Sequence, residues 1–159
     1  MTSSVEGRVG QDRLEPVNYS QIFTKGRQRE TVRIHFDGLD AIEVDVEPPP
    51  RDRGKRVPVA PEHKVKVLDP VTAAIWPGGK DRAADLCSRV LPVFDGTRRF
   101  DLSLTFIRTA TFRVRGSESS IPALVCAIRY RPVSGHPPGK ADGSFHASER
   151  GHRDLDPGR

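Results

Sequence analysis

The sequence predicts one mainly β domain of the α+β type, an antiparallel sheet of about six or seven strands with one or two short helices. Three observations carry this. Apolar and polar residues alternate with a period of two wherever β-branched and aromatic residues cluster. Glycine-containing dipeptides, Lys25-Gly26, Asp37-Gly38 and Asp95-Gly96, punctuate the alternating runs. Only one segment opens with a strong helix-start signal.

At 159 residues the chain suits one domain. Residues 1–136 are read as that domain, and residues 137–159 as a tail. The first expected hairpin joins Asn18–Thr24 to Thr31–Phe36 through Lys25-Gly26, with Val32, Ile34 and Phe36 on one face and Arg33 and His35 on the other. After Asp37-Gly38, Ala41–Glu47 sets Ile42, Val44 and Val46 against Glu43, Asp45 and Glu47. Basic positions on one strand then oppose acidic ones on the next, which favours the register that buries both apolar rows.

Pro48-Pro49-Pro50 ends that strand, because proline supplies no ladder N–H. The basic stretch Arg51–Lys66 follows and reads as a solvated loop. A phosphate-binding loop wants successive glycines feeding a helix N-terminus, and Gly54 stands alone there. Asp69-Pro70 is a helix N-cap and first helical position, giving about two turns before Pro77. Trp76, the one tryptophan, is expected to plug the core, and a second helical turn is expected near Arg82–Leu86. Val90–Phe94 leads through Asp95-Gly96 into the cleanest alternation of the chain, with Phe100, Leu102, Leu104 and Phe106 on one face. Thr111–Arg115 and Ala123–Arg131 supply further strands, the latter with Leu124, Cys126, Ile128 and Tyr130 in register.

Composition narrows the function classes. No apolar run approaches the roughly 20 residues of a membrane helix. The opening residues MTSSVEGRVGQDR lack the apolar core of a secretory signal, so the chain as written is expected in the cytoplasm. The net charge is +5, but 21 acidic residues are interspersed with 26 basic ones, so no nucleic-acid partner is expected. Among the five histidines, His35, His63, His136, His146 and His152, no metal-ligand spacing occurs, and no metal or other cofactor is expected. The tail pair His146 and His152 near Glu149 would chelate weakly, since flexible ligands must be ordered on binding. No nucleophile elbow such as G-x-S-x-G is present, so no catalytic residue is assigned and no enzyme is expected. Cys87 and Cys126 fit no zinc or redox motif. Either they close a loop of about 40 residues as a disulfide, or they are buried thiols, which a cytoplasmic setting favours.

The run VRIHFDG, VDVEPPP, VLDPVTA, CSRVLPVFDGTRRFDL and ALVCAIRYRPVSGH, in that order, resembles the middle of the bacterial family DUF3108 over roughly residues 7–136. The resemblance implies an exported envelope protein, with a curved antiparallel sheet wrapping a helix, an incomplete half-barrel akin to periplasmic lipoprotein carriers. It implies no catalytic residues. It also matches Cys87 and Cys126 to two family cysteines that an oxidising periplasm would bridge. Against that pattern the chain reads as truncated at its N-terminus. After His136 the alternation stops, and the tail is expected to be disordered and to come from a shifted reading frame.

The functional expectation is a non-enzymatic envelope protein that holds lipid or another hydrophobic ligand, or a partner segment. Many inward apolar positions face few helices, and an uncovered apolar face needs a lid, a ligand or a partner. The face expected to serve is Phe100, Leu102, Leu104 and Phe106 with Trp76. The alternatives are an enzyme of unrecognised type, a nucleic-acid binder acting through residues 51–66, and a fragment left nonfunctional by its missing strands.

Overall fold

The computed structural model describes residues 1–10, 14–51, 53–75, 83–113, 120–139 and 143–145. Its architecture is the open, mainly antiparallel one expected, with few helices and no closure into a barrel. The strands divide between two sheets rather than forming one. Strands β1 (Thr2–Val9), β2 (Leu14–Lys25), β3 (Gln28–Asp37) and β4 (Asp40–Glu47) lie in sheet one in that order. Strands β5 (Val90–Phe94), β6 (Arg99–Arg113), β7 (Ser120–Ser134) and the three-residue β8 (Gly143–Phe145) make sheet two. The division follows from the chain between β4 and β5, whose prolines deny it a continuous ladder.

Sheet one is a meander. Lys25 pairs with Gln28 and Asp37 with Asp40, so both central turns are two residues long, and each begins with a glycine at positive φ, Gly26 and Gly38. Those turns match the twist of the flanking strands. Strand β1, which the sequence reading left unassigned, pairs along β2. Its residues Thr2, Ser3 and Ser4 carry no apolar alternation to signal a strand.

Tyr19, Val32, Ile34, Phe36, Ala41 and Val46 form the inward face of sheet one, closed by Val67 and Phe94. Burying each larger side chain contributes about 1.5–3 kcal/mol. One expected member is missing. A bulge at His35/Phe36 brings Phe36 opposite Ala41, so Ala41 is buried and Ile42 is exposed. An extra residue inverts every facing beyond it, and strand alternation read from the sequence carries no marker for it.

Residues 67 and 68 tie the sheets together. The Val67 amide donates to Leu39 O at 2.8 Å in sheet one; the Leu68 amide donates to Pro92 O at 2.8 Å and Leu68 O accepts from Phe94 N at 2.9 Å in sheet two. Helix α1 (Pro70–Ala74) follows, packed against β1, β2 and β5. Asp69 caps it as expected, its Oδ1 accepting from the Val71 and Thr72 amides at 2.8 and 3.0 Å. Helix α2 (Ala83–Leu86) occupies the expected second helical turn.

Over their described residues, the expected strands 100–106 and 111–115 belong to one fifteen-residue strand, β6, paired along β7 with a shift at Ile107; residues 114 and 115 lie outside the described set. Only its first part has β5 beside it, through Ser103. Within the stretch expected to be a disordered tail, β8 pairs with Ile128–Tyr130; residues 140–142 and 146–159 lie outside the described set.

Candidate functional site

A cleft of about 500 Å³ lies between β4, the 50–64 segment and the β5–β6 turn. Its apolar wall is built from Val44 and Val46 of β4, Val57 and Val59 of the connecting segment, and Phe94 of β5. Alternation explains the first two. With Asp45 and Glu47 turned to the opposite face, where Asp45 pairs with Arg33 at 3.1 Å, the valines face inward.

The connecting segment differs from the solvated loop expected. Val57 N donates to His136 O at 2.9 Å, Gly135 N donates to Val57 O at 2.8 Å, and the Arg56 Nη1 donates to Gly135 O at 3.0 Å. This segment is therefore strapped to the end of β7. Further along, the 3-10 turn Pro61–Lys64 is held by the Ala60 amide donating to His63 Nδ1 at 3.0 Å. The signal that could have found this wall is the pair Val57 and Val59 inside a charge run: two apolar residues at strand spacing that solvent alone does not explain.

Two glycines let the walls close. Gly96 has φ +93, and a Cβ there would run into Val32 Cγ1. Gly135 has φ +75, and a Cβ there would overlap the Thr97 carbonyl. Any side chain at either position would push the β5–β6 turn off its neighbour. Asp95 completes that turn, with Oδ1 accepting from the Thr97 and Arg98 amides at 2.9 and 2.7 Å and Oδ2 accepting from Arg98 Nε at 2.9 Å.

Among the described residues, the ionisable side chains lining the cleft are Arg56 and Lys64, both cationic. Deeper in the core, burial pushes the Tyr19 hydroxyl up to about 12, against a smaller opposing effect of Ser3 and with Asp69 and Asp95 adding to the rise. That phenol stays protonated at neutral pH. Among the described residues no group of three or more His, Cys, Asp or Glu side chains is placed to hold a metal ion.

Phe100, Leu102, Leu104 and Phe106 do share one face of β6, opposite Pro132, Tyr130, Ile128 and Cys126 in turn. The Phe100 and Tyr130 rings lie 4.9 Å apart, and burial raises the Tyr130 pKa, with Asp95 adding to it and Arg98 opposing. Cover thins outward along this face: Phe100, Leu102 and Leu104 are half-buried, while Phe106 is 41% exposed. None of the four lines the cleft. Trp76 lies outside the described residues. On the other face Asp101 is buried and accepts from Arg99 Nη1 and Arg131 Nη2, each at 2.7 Å. Burial alone would raise its pKa, but the two guanidinium groups outweigh that and hold it below the usual carboxylate range.

Cys87 and Cys126 are joined by a disulfide, with Cα atoms 5.6 Å apart. The bridged alternative is therefore the one the structure adopts, in place of two buried thiols. It pins the end of α2 to the apolar face of β7.

Residues 1–142 match the family described as a protein of unknown function (DUF3108). The chain belongs to the DUF3108 family. No curated protein and no solved structure matches it. The family match runs from β1 to the residue before β8, so it takes in sheet one, sheet two as far as β7 and every lining residue of the cleft. No helix of the described residues is long and apolar enough to cross a membrane.

Proposed function

We propose that this DUF3108 chain is a non-catalytic binding protein of the cell envelope, and that it takes a hydrophobic ligand in the cleft between β4 and the 50–64 segment. The observation that carries the reading is the cleft itself, with five apolar side chains on walls strapped in place by main-chain hydrogen bonds. Pockets of about 300–1,000 Å³ with largely apolar walls and few polar groups are the usual setting for small ligands. Prior strapping lowers the ordering cost of binding. The Cys87–Cys126 bridge supports an oxidising compartment such as the envelope, because reducing cytosol keeps thiols free. The cleft's described polar side chains, Arg56, Lys64 and Thr97, suit holding a ligand better than moving a proton.

Titration with an apolar fluorescent dye tests the binding. Saturable binding by the full chain is expected, with loss of binding in Val46→Trp and in Val57→Trp, each of which fills the cleft from a different wall. Absence of saturable binding, or unchanged binding in folded forms of both variants, overturns the reading. Thiol alkylation in intact cells tests the compartment: Cys87 and Cys126 protected until a reductant is added supports it, and rapid labelling contradicts it.

A further inference from the structure

Exposed apolar side chains gather on the outer part of the β6–β7 pair. Beyond Leu104, β6 pairs with β7 alone among the described strands. This two-stranded ribbon carries Phe106 and Ile107, 41% and 50% exposed, and Phe112 and Ile121, 59% and 51% exposed. They do not share a face. Phe106 continues the row of Leu102 and Leu104, whereas Phe112 and Ile121 lie directly opposite each other on the other face, with Arg108 and Val125. A two-stranded ribbon is marginal in water by itself, and apolar groups open on both of its faces add to that cost. The same stretch is basic. Residues 104–129 hold Arg108, Arg113, Arg115 and Arg129 against Glu118 alone. Pairing inside the ribbon leaves that sign unchanged, since each of its residues is counted. Asp101, just before it, is taken up by Arg99 and Arg131. Neighbouring stretches of sequence do not reverse the sign either: residues 76–82 hold Lys80 and Arg82 against Asp81, and residues 137–159 hold four basic and four acidic side chains.

We infer that the ribbon is a membrane-surface anchor: the end that carries Phe112 and Ile121 enters the interface of an anionic lipid bilayer, and the arginines meet its phosphates. Two observations choose this partner. Apolar side chains open on both faces suit a fluid medium that closes around the ribbon, because a rigid protein surface covers one face and leaves the other wet. A second copy of the chain would bring the same arginines together, which like charge opposes. The depth also fits. Interfacial elements bury their apolar part about 5–10 Å into the headgroup boundary. Arg108, on the face of Phe112, then stands about 13 Å back along the strand, beside the phosphates, and Arg113 reaches them from the tip. Shallow entry keeps the open strand edges among hydrated headgroups, where water satisfies their amides and carbonyls. Hydrogen bonds from guanidinium to phosphate are charge-assisted, and each basic residue near an anionic surface strengthens attachment about fivefold.

This inference does not rest on the cleft, and vesicle binding tests it. The full chain is mixed with vesicles of phosphatidylcholine alone or of phosphatidylcholine and phosphatidylglycerol in equal parts, and the bound fraction is read by sedimentation. At low salt the mixed vesicles are expected to bind at least about tenfold more tightly, and added salt should weaken that binding. Phe112→Ser combined with Ile121→Ser should remove most of it, and Arg113→Gln should lower it about fivefold. Ile42→Ser and Arg29→Gln, which change an exposed apolar and an exposed basic residue of sheet one, should leave it unchanged. Hydrogen exchange of the wild-type chain gives a second reading: anionic vesicles should protect the amides of β6 beyond Leu104 and of the part of β7 that faces them. Absence of binding, equal binding to both vesicles, unchanged binding in the folded double variant, or protection confined to other parts of the chain overturns the inference. Dimerisation through the ribbon in place of vesicle binding also overturns it, and assigns the surface to a second copy of the chain. Should a substituted chain not fold, exchange on the wild type decides the point.

Discussion

The inward row of β3 and the outer half of the β6–β7 pair have the same kind of side chains and opposite fates. Val32, Ile34 and Phe36 are 2–3% exposed, whereas Phe106, Phe112 and Ile121 are 41–59% exposed. Strand β3 lies between β2 and β4 and is covered by Val67, Phe94 and the Gly96 turn. Beyond Leu104, β6 is paired with β7 alone among the described strands. The shift at Ile107 also turns Phe112 away from the face that carries Phe106, onto the face that Ile121 already occupies by the alternation of β7. Alternation thus decides which side chains share a face, while burial is decided by what another segment lays over that face.

Four sets of measurements break or sharpen this contrast. The largest effect is expected at Phe94, which closes the core from sheet two: Phe94→Ala should cost about 3–5 kcal/mol in urea unfolding, and a cost below one unit would mean that the sheets are not packed as described. Next comes the bridge. Replacing Cys87 and Cys126 together by Ser should cost about 3 kcal/mol, read as a lower unfolding midpoint, and reduction of the wild type should reproduce it.

Asp101 tests the polar face of sheet two. Asp101→Asn should cost about 2 kcal/mol, since two guanidinium groups lose their charged acceptor. Because its folded pKa lies below the unfolded one, its contribution is present above the unfolded value of about 4 and disappears as pH falls through the folded value. The Asn variant should therefore lose less stability on acidification than the wild type, and parallel pH profiles would refute the assignment.

The smallest effect is expected on the ribbon, where Phe112→Ser and Ile121→Ser should each change stability by no more than about 0.5 kcal/mol. Both should reduce aggregation in light-scattering assays, because they remove exposed apolar surface next to open strand edges. A core-sized loss at either position would show that the ribbon is covered.

Much of the local structure was legible in advance, and for local reasons. The Asp69 cap, the Gly26 and Gly38 turns, the Asp95 turn and the shared face of Phe100, Leu102, Leu104 and Phe106 each depend on residues a few positions apart. The cleft was legible only in halves. Val44 and Val46 were read as inward, but the opposing wall lay inside the basic stretch, and its bonds to Gly135 and His136 join residues far apart in sequence. The apolar face chosen from the sequence, and the cleft that the chain forms, are different places.

By itself the amino-acid order determined where strands run, where the chain turns and which side chains alternate, because backbone preferences and period-two facing act over neighbouring residues. Tertiary structure alone decided that the strands form two sheets, that bulges at Phe36 and Ile107 redirect the rows beyond them, that Cys87 meets Cys126, and that Arg56 and Lys64 stand over an apolar wall. Each of these depends on long-range packing, in which a face is buried or left open according to the segment that comes to lie against it.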